Sequence, residues 1–246
     1  MNQPKMILFD YGGTLLCEPD WDILSGEKAI LAHAVQNPRG CTPEELAAWE
    51  KAQFPSRLPV RELGVELAEI PRLRLKYELH GLRLDIPYEE AEYVLWSGAS
   101  PLSERCVYPH IRETLNVIRA KGIRTGVISN LVWSGRALKR RIDALLPENH
   151  FEFVITSSDY GIRKPDVRLF QLALARAELP PEAVWYCGND YRKDVEAARS
   201  AGIFPVFYCG HTEGDQKDRT AAPADIGDTL RITDWNELPG FLDPEG

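Results

Sequence analysis

Short blocks of consecutive apolar residues recur along the chain, separated by longer stretches in which apolar positions return every three or four residues. Residues 5–9 (KMILF), 124–129 (RTGVIS), 151–156 (FEFVIT), 184–187 (VWYC) and 204–208 (FPVFY) are of the first kind. A run this short and this evenly apolar predicts a strand buried on both faces. Residues 111–121, 167–177 and 194–201 are of the second kind and predict amphipathic helices. Strands and helices in alternation imply a parallel sheet covered on both sides, so the expected class is α/β, a doubly wound Rossmann-like core.

The pattern changes between the first two strands. From residue 17 to 105, β-branched runs give way to Ala, Leu, Glu and Arg, and the spacing predicts helices over 21–35, 43–54, 60–80 and 88–96, with Thr42 as the N-cap of the second. The expected organisation is a core formed by 1–16 and 106–246, interrupted by an all-helical domain of 17–105 on two hinges. Residues 210–227 are polar and loop-like, and 228–242 predict an edge strand and a short helix.

Composition narrows the partners. The 246 residues carry a formal charge of −8, which repels nucleic acid and anionic membrane surfaces. The longest apolar runs, such as 202–208, are far short of the roughly 20 residues that span a bilayer. Met1 to Lys5 shows no charged region leading into an apolar stretch. The expectation is a cytoplasmic protein with a small-molecule partner, its oligomeric state left open. The five cysteines are scattered, without metal-ligand spacing, and are expected to be reduced, with Cys187 and Cys209 packed inside.

Several expected strands end in polar residues: Asp10 after the first, Ser129 and Asn130 after the second, Asn189, Asp190 and Asp194 after the fourth. The carboxyl ends of a doubly wound sheet surround its ligand crevice. Taken singly, Asp10 could be a turn residue, Ser129 and Asn130 a turn or cap, and Asp194 the N-cap of its helix.

Taken together, FDYGGT, VISN, RKPD and GNDYRKD, in this order and spacing, resemble the motifs of the haloacid dehalogenase superfamily. The insertion at 17–105 looks like the cap that many members carry. The resemblance implies that Asp10 attacks phosphorus and forms an aspartyl phosphate that water then hydrolyses. It implies Lys164 and Mg²⁺ as the positive charge around the anions, with Asp10, the Gly12 carbonyl and the Asn189, Asp190, Asp194 loop as metal ligands. Asn189 stands where many members have Asp. Ser129, Asn130 and the loop carrying Tyr11, Gly12 and Thr14 would hold phosphate oxygens beside Lys164.

One expected group is missing. Phosphatases of this superfamily usually carry a second Asp two residues after the nucleophile as general acid and base, and Gly12 stands there. A phosphatase with an activated leaving group or an acid from the cap is the favoured reading. Alternatives are a phosphonoacetaldehyde hydrolase using Lys28 or Lys51, a 2-haloacid dehalogenase, and a phosphate-binding module without turnover. Trp21, Trp49, Arg57, Arg61, Tyr93 and Trp96 are candidates to line the substrate cavity, against the expectation that aromatics at helical spacing form bundle core.

Overall fold

The computed structural model describes residues 3–210, 220 and 222–242. In chain order its elements are β1 (Met6–Phe9), α1 (Ile23–Leu31), β2 (Ala34–Gln36), α2 (Pro43–Glu62), α3 (Glu69–Leu79), β3 (Arg83–Leu84), α4 (Tyr88–Ala99) and α5 (Ile111–Ala120). They continue with β4 (Arg124–Ser129), α6 (Gly135–Leu145), β5 (Phe151–Thr156), α7 (Ser157–Tyr160), α8 (Arg168–Ala177), β6 (Val184–Gly188), α9 (Ala197–Ser200), β7 (Phe204–Tyr208) and β8 (Leu230–Ile232).

Six strands form one parallel sheet in the order β5-β4-β1-β6-β7-β8. The chain leaves β1 on one side toward β4 and β5 and on the other toward β6, β7 and β8. The switch in direction therefore falls at β1, where such sheets open a crevice beyond their carboxyl ends. All four β1 side chains are fully buried. Ile7 and Phe9 join a core with Ile111, Ile142 and Trp235, while Met6 and Leu8 join the opposite core with Leu169, Phe170 and Ala173 of α8. Burying each such side chain is worth about 1.5–3 kcal/mol, so β1 is a rigid platform for the residue that follows it.

Between β1 and α5 the chain forms four helices and, unlike the all-helical expectation, a small antiparallel ribbon of β2 and β3. The ribbon is too short to give a readable alternation, and it ends the first helix at Leu31 instead of near residue 35. The helix expected over 60–80 is two pieces. α2 continues to Glu62 through Pro55 and Pro59, and Gly64, at φ +78°, turns the chain toward α3. The prolines are tolerated because the carbonyls they leave without an N–H partner lie on an exposed stretch of helix. Thr42 caps α2 as expected, in a capping box with Glu45. α6 was not foreseen, although Ser134 caps it and Ala137, Leu138, Ile142 and Leu145 face inward.

The inserted segment is fastened to the core. Glu92 of α4 accepts the Ser134 N–H at 2.7 Å and its hydroxyl at 2.5 Å. The Glu66 and Glu69 amides donate to the carbonyls of Gly161 and Val132 at 3.1 and 3.0 Å. Trp96 stacks on Trp133 with centroids 5.2 Å apart. The end of the chain supplies β8 and a 3-10 helix over Trp235–Phe241, as expected. Of the polar 210–227 stretch, residues 211–219 and 221 lie outside the described residues. Among the described residues no helix is long and apolar enough to cross a membrane. Cys187 is buried, as expected, but Cys209 is half-buried.

Candidate active site

The Asp10 N–H donates to the Cys187 carbonyl at 2.9 Å, extending the pairing of β1 with β6 by one residue and fixing the carboxylate at the switch point. The chain then turns sharply. The Tyr11 carbonyl accepts the amides of Leu15 and Leu16 at 3.0 and 3.1 Å, a coil that requires Gly13 at φ +74°.

Lys164 meets Asp10 there. Its Nζ lies 2.9 Å from Asp10 Oδ1, 2.6 Å from Asp194 Oδ1 and 2.6 Å from the Tyr186 hydroxyl, which donates onward to the Ile128 carbonyl at 3.0 Å. One buried ammonium thus serves two carboxylates. Burial works to lower the Lys164 pKa, but Asp10 and Asp194 outweigh it and hold it above the usual lysine value. Burial raises the Asp194 carboxyl, with Lys164 opposing and Asp10 adding to the rise.

Asn130 sets the lysine's backbone. Its Nδ2 donates to the Lys164 carbonyl at 2.9 Å, and its Oδ1 accepts the Lys164 N–H at 2.7 Å. The side chain therefore positions the lysine loop, where the sequence suggested a phosphate contact. Ser129 and Asn189 make no side-chain hydrogen bond to any described residue and line the same cavity, of about 240 Å³, as Asp10, Tyr11, Gly12, Asn130, Lys164, Asp190 and Asp194. Thr14 stands apart from this lining, fully buried, its hydroxyl without a partner among the described residues, while its carbonyl accepts the Trp235 indole N–H at 3.0 Å.

The acidic loop after β6 divides its work. Asp190 caps a stretch of π-helix over Tyr191–Glu196, accepting the Lys193 N–H at 2.8 Å, the Lys193 ammonium at 2.9 Å and the Thr220 N–H at 3.1 Å. These contacts override burial and hold its pKa below the usual carboxylate value. The N-cap is thus Asp190, not Asp194, which lies one turn inside and accepts the Asp190 N–H at 2.8 Å. Gly188 makes room for it: a Cβ there would sit 2.4 Å from the Asp194 Cγ. Gly188→Ala is expected to push Asp194 out of place and to cost about 1–3 kcal/mol, read by thermal unfolding. An unchanged melting temperature would contradict this packing.

Among the described residues no group of three or more His, Cys, Asp or Glu side chains converges as a metal cluster. What does converge is a hard oxygen set, with the carboxylates of Asp10 and Asp194 sharing one ammonium and Asn189 lining the same crevice.

A second cavity, of about 610 Å³, adjoins the first and is lined by Trp21, Ile23, Phe54, Leu95 and Trp133, with Arg57 and Arg61 at its polar side. Trp21, Arg57 and Arg61 thus reach a cavity, whereas Trp49, Tyr93 and Trp96 do not; Trp96 and Tyr93 are buried in the core. Lys51 sits exposed on the rim and Lys28 lies exposed outside both cavities, neither with the burial that activates a Schiff-base lysine. Sequence reasoning missed Glu18, Tyr186 and Arg141. Tyr186 shows only as one more apolar strand residue, and Arg141, fully buried in α6, only as one basic residue of a basic helix.

A lysine bridging two buried carboxylates at the switch point of a parallel sheet defines an enzyme site of the α/β type. The haloacid dehalogenase-like hydrolase profile matches residues 99–207, which include Ser129, Lys164 and Asp194. The phosphoglycolate phosphatase of Pseudomonas putida is 26% identical over 242 residues, covering 98% of this chain and 81% of that protein. The glyceraldehyde 3-phosphate phosphatase of Methanothermobacter thermautotrophicus is 35% identical over 137 residues, 55% of this chain and 58% of that one. The chain spans about half the length of the curated relatives it matches at 30% identity or more. The 2-haloacid dehalogenase of Pseudomonas syringae shares the fold, with a TM-score of 0.57, 23% identity and 98% of both chains covered. In sequence the chain is thus similar to haloacid dehalogenase-like hydrolases.

Proposed function

We propose that this protein is a cytoplasmic, Mg²⁺-dependent phosphatase that passes a phosphoryl group through Asp10 to water, acting on a phosphate monoester whose organic part is bulky and apolar. The observation that carries this reading is the Asp10–Lys164–Asp194 arrangement at the switch point. Relatives named as phosphatases support it.

The donor set fits the ion. Two carboxylates share one ammonium, so the site is short of positive charge before a phosphate dianion enters, and its free donors are hard oxygens of the kind Mg²⁺ takes alongside several waters. Asp10, the Gly12 carbonyl and the Asn189, Asp190, Asp194 loop would hold it. When bound, the ion supplies positive charge to the phosphoryl oxygens. Lys164 holds Asp10 in place through Oδ1, leaving Oδ2, which accepts no hydrogen bond from a described residue, as the attacking atom. The Ser129 hydroxyl is free to donate to a phosphoryl oxygen, and Asn130 keeps the lysine loop in register.

In this reading residues 17–105 act as a cap that carries the leaving group. The second cavity is too large and too apolar to be filled by glycolate or glyceraldehyde, whereas an aromatic or branched alkyl group would cover Trp21, Phe54 and Trp133.

A panel of phosphate monoesters assayed with Mg²⁺ and with EDTA tests the reading. Aryl and arylalkyl phosphates are expected to outpace phosphoglycolate and glyceraldehyde 3-phosphate, and EDTA to stop turnover. Dechlorination of 2-chloropropionate in EDTA, with no phosphate released from any ester, would overturn it. Binding of inorganic phosphate without turnover of any ester would make the protein a binding module.

A further inference from the structure

The crevice contains one carboxyl group that the steps above leave unused. Glu18 lies just beyond the nucleophile loop, and it and Trp21 are the residues that line both cavities. Its Oε1 accepts the Tyr11 hydroxyl at 3.2 Å and the Trp96 indole N–H at 2.9 Å, while Oε2 accepts no hydrogen bond from any described residue. The mount is rigid. Arg141 donates to the Tyr11 hydroxyl at 3.0 Å and is itself fixed by the carbonyl and hydroxyl of Ser100, both at 2.8 Å. A phosphate ester with its phosphorus beside Asp10 and its organic group in the second cavity passes the junction that Glu18 and Trp21 line.

The other acids of the crevice are taken. Asp190 is bound on both oxygens by Lys193 and Thr220, and Asp194 by Lys164, Tyr186 and its own helix start. Glu18 is left with an oxygen, Oε2, that accepts no hydrogen bond from a described residue, and burial pushes its carboxyl up, against the pull of Arg141 and the two hydrogen bonds, which suits it to carry a proton.

We propose that Glu18 performs the proton transfers that no side chain at Gly12 can perform. In the first half-reaction an Asp10 oxygen bonds to phosphorus, the bond from phosphorus to the ester oxygen breaks, and that oxygen leaves as the alcohol with the Glu18 proton. In the second, the Glu18 carboxylate takes a proton from water, the water oxygen bonds to phosphorus and the bond to Asp10 breaks. Phosphate is released, and both side chains return to their starting forms. This inference rests on the phosphatase reading.

The test compares kcat/KM, which reports the first half-reaction, for 2-phenylethyl phosphate and 4-nitrophenyl phosphate in the 246-residue chain with Mg²⁺. 4-Nitrophenolate leaves without a proton, whereas 2-phenylethanol cannot. Glu18→Gln keeps an oxygen for Tyr11 and Trp96 but has no proton to give. It is expected to lower kcat/KM for 2-phenylethyl phosphate by about 10²–10⁴-fold and to leave that for 4-nitrophenyl phosphate nearly unchanged. Slow hydrolysis of the aspartyl phosphate should then appear as a burst of one nitrophenolate per protein. Equal losses on both substrates, or none on either, would overturn the proposal. A series of substituted phenyl phosphates on the wild type gives a check that needs no variant: a shallow dependence of kcat/KM on phenol acidity supports proton donation, and a steep one refutes it. If the wild type turns over neither ester, the phosphatase reading fails first and takes this inference with it.

Discussion

Asp10→Asn is expected to lower turnover of every phosphate ester the wild type accepts by about 10⁴–10⁶-fold while leaving the melting temperature unchanged or higher. The amide matches the carboxylate in size but is neutral and carries no nucleophilic oxygen, so no phosphoenzyme can form. Its effect on stability runs the other way. In the wild type two buried carboxylates share Lys164, and Asp10 adds to the forces that raise the Asp194 carboxyl. With Asn at position 10 the remaining pair is one to one, and the amide oxygen still accepts from the ammonium. A side chain retained for catalysis at the expense of the fold behaves in this way. Turnover by the variant at wild-type rates would remove Asp10 as nucleophile, and a large loss of melting temperature would recast it as a structural partner of Lys164.

The core of the fold was legible because its signals are local and redundant. The strands up to Phe204–Tyr208 are short, mostly apolar and mostly buried runs, and three of them, Met6–Phe9, Arg124–Ser129 and Val184–Gly188, end at or next to residues that line the crevice. Strand ends marked Asp10, Ser129 and Asn189 by position, whereas Lys164 and Asp194 were chosen through the order of the four motifs. The inserted segment was less legible. Its ribbon has only Ala34–Gln36 and Arg83–Leu84 to show, and α2 passes through two prolines that sequence reasoning takes for a stop. The site was under-read where a role depends on a distant partner. Asn130 is defined by its grip on Lys164, and Asp190 by capping a π-helix that starts at Tyr191, three residues before Asp194. Glu18 sits in a stretch with no periodicity, and only the meeting of Tyr11, Trp96 and two cavities marks it.

Lys164→Met should damage both activity and fold. The ammonium is fully buried and gives its protons to Asp10, Asp194 and Tyr186; methionine fills much of the same volume and gives none. Two carboxylates are then left facing each other without a cation, a change that costs about 3–5 kcal/mol when one partner of a buried pair is removed. Turnover should fall by at least about 10²–10³-fold, the scale of losing one preorganised positive group at a developing charge. The pH dependence separates the charge from the packing. Burial and Asp10 already raise the Asp194 carboxyl in the folded wild type, and without Lys164 to oppose them the rise is larger. A carboxyl raised in the folded state binds protons there that the unfolded chain has released. Its contribution is therefore most favourable in acid and is lost as pH rises through the folded value. The wild-type lysine, itself raised, keeps its contribution throughout the neutral range and loses it only in strong alkali. Urea unfolding in EDTA at pH 5 and pH 8 should accordingly show a wider gap between variant and wild type at pH 8. A gap independent of pH would mean that Lys164 matters for its volume, and the ammonium-centred account of the site would have to be abandoned.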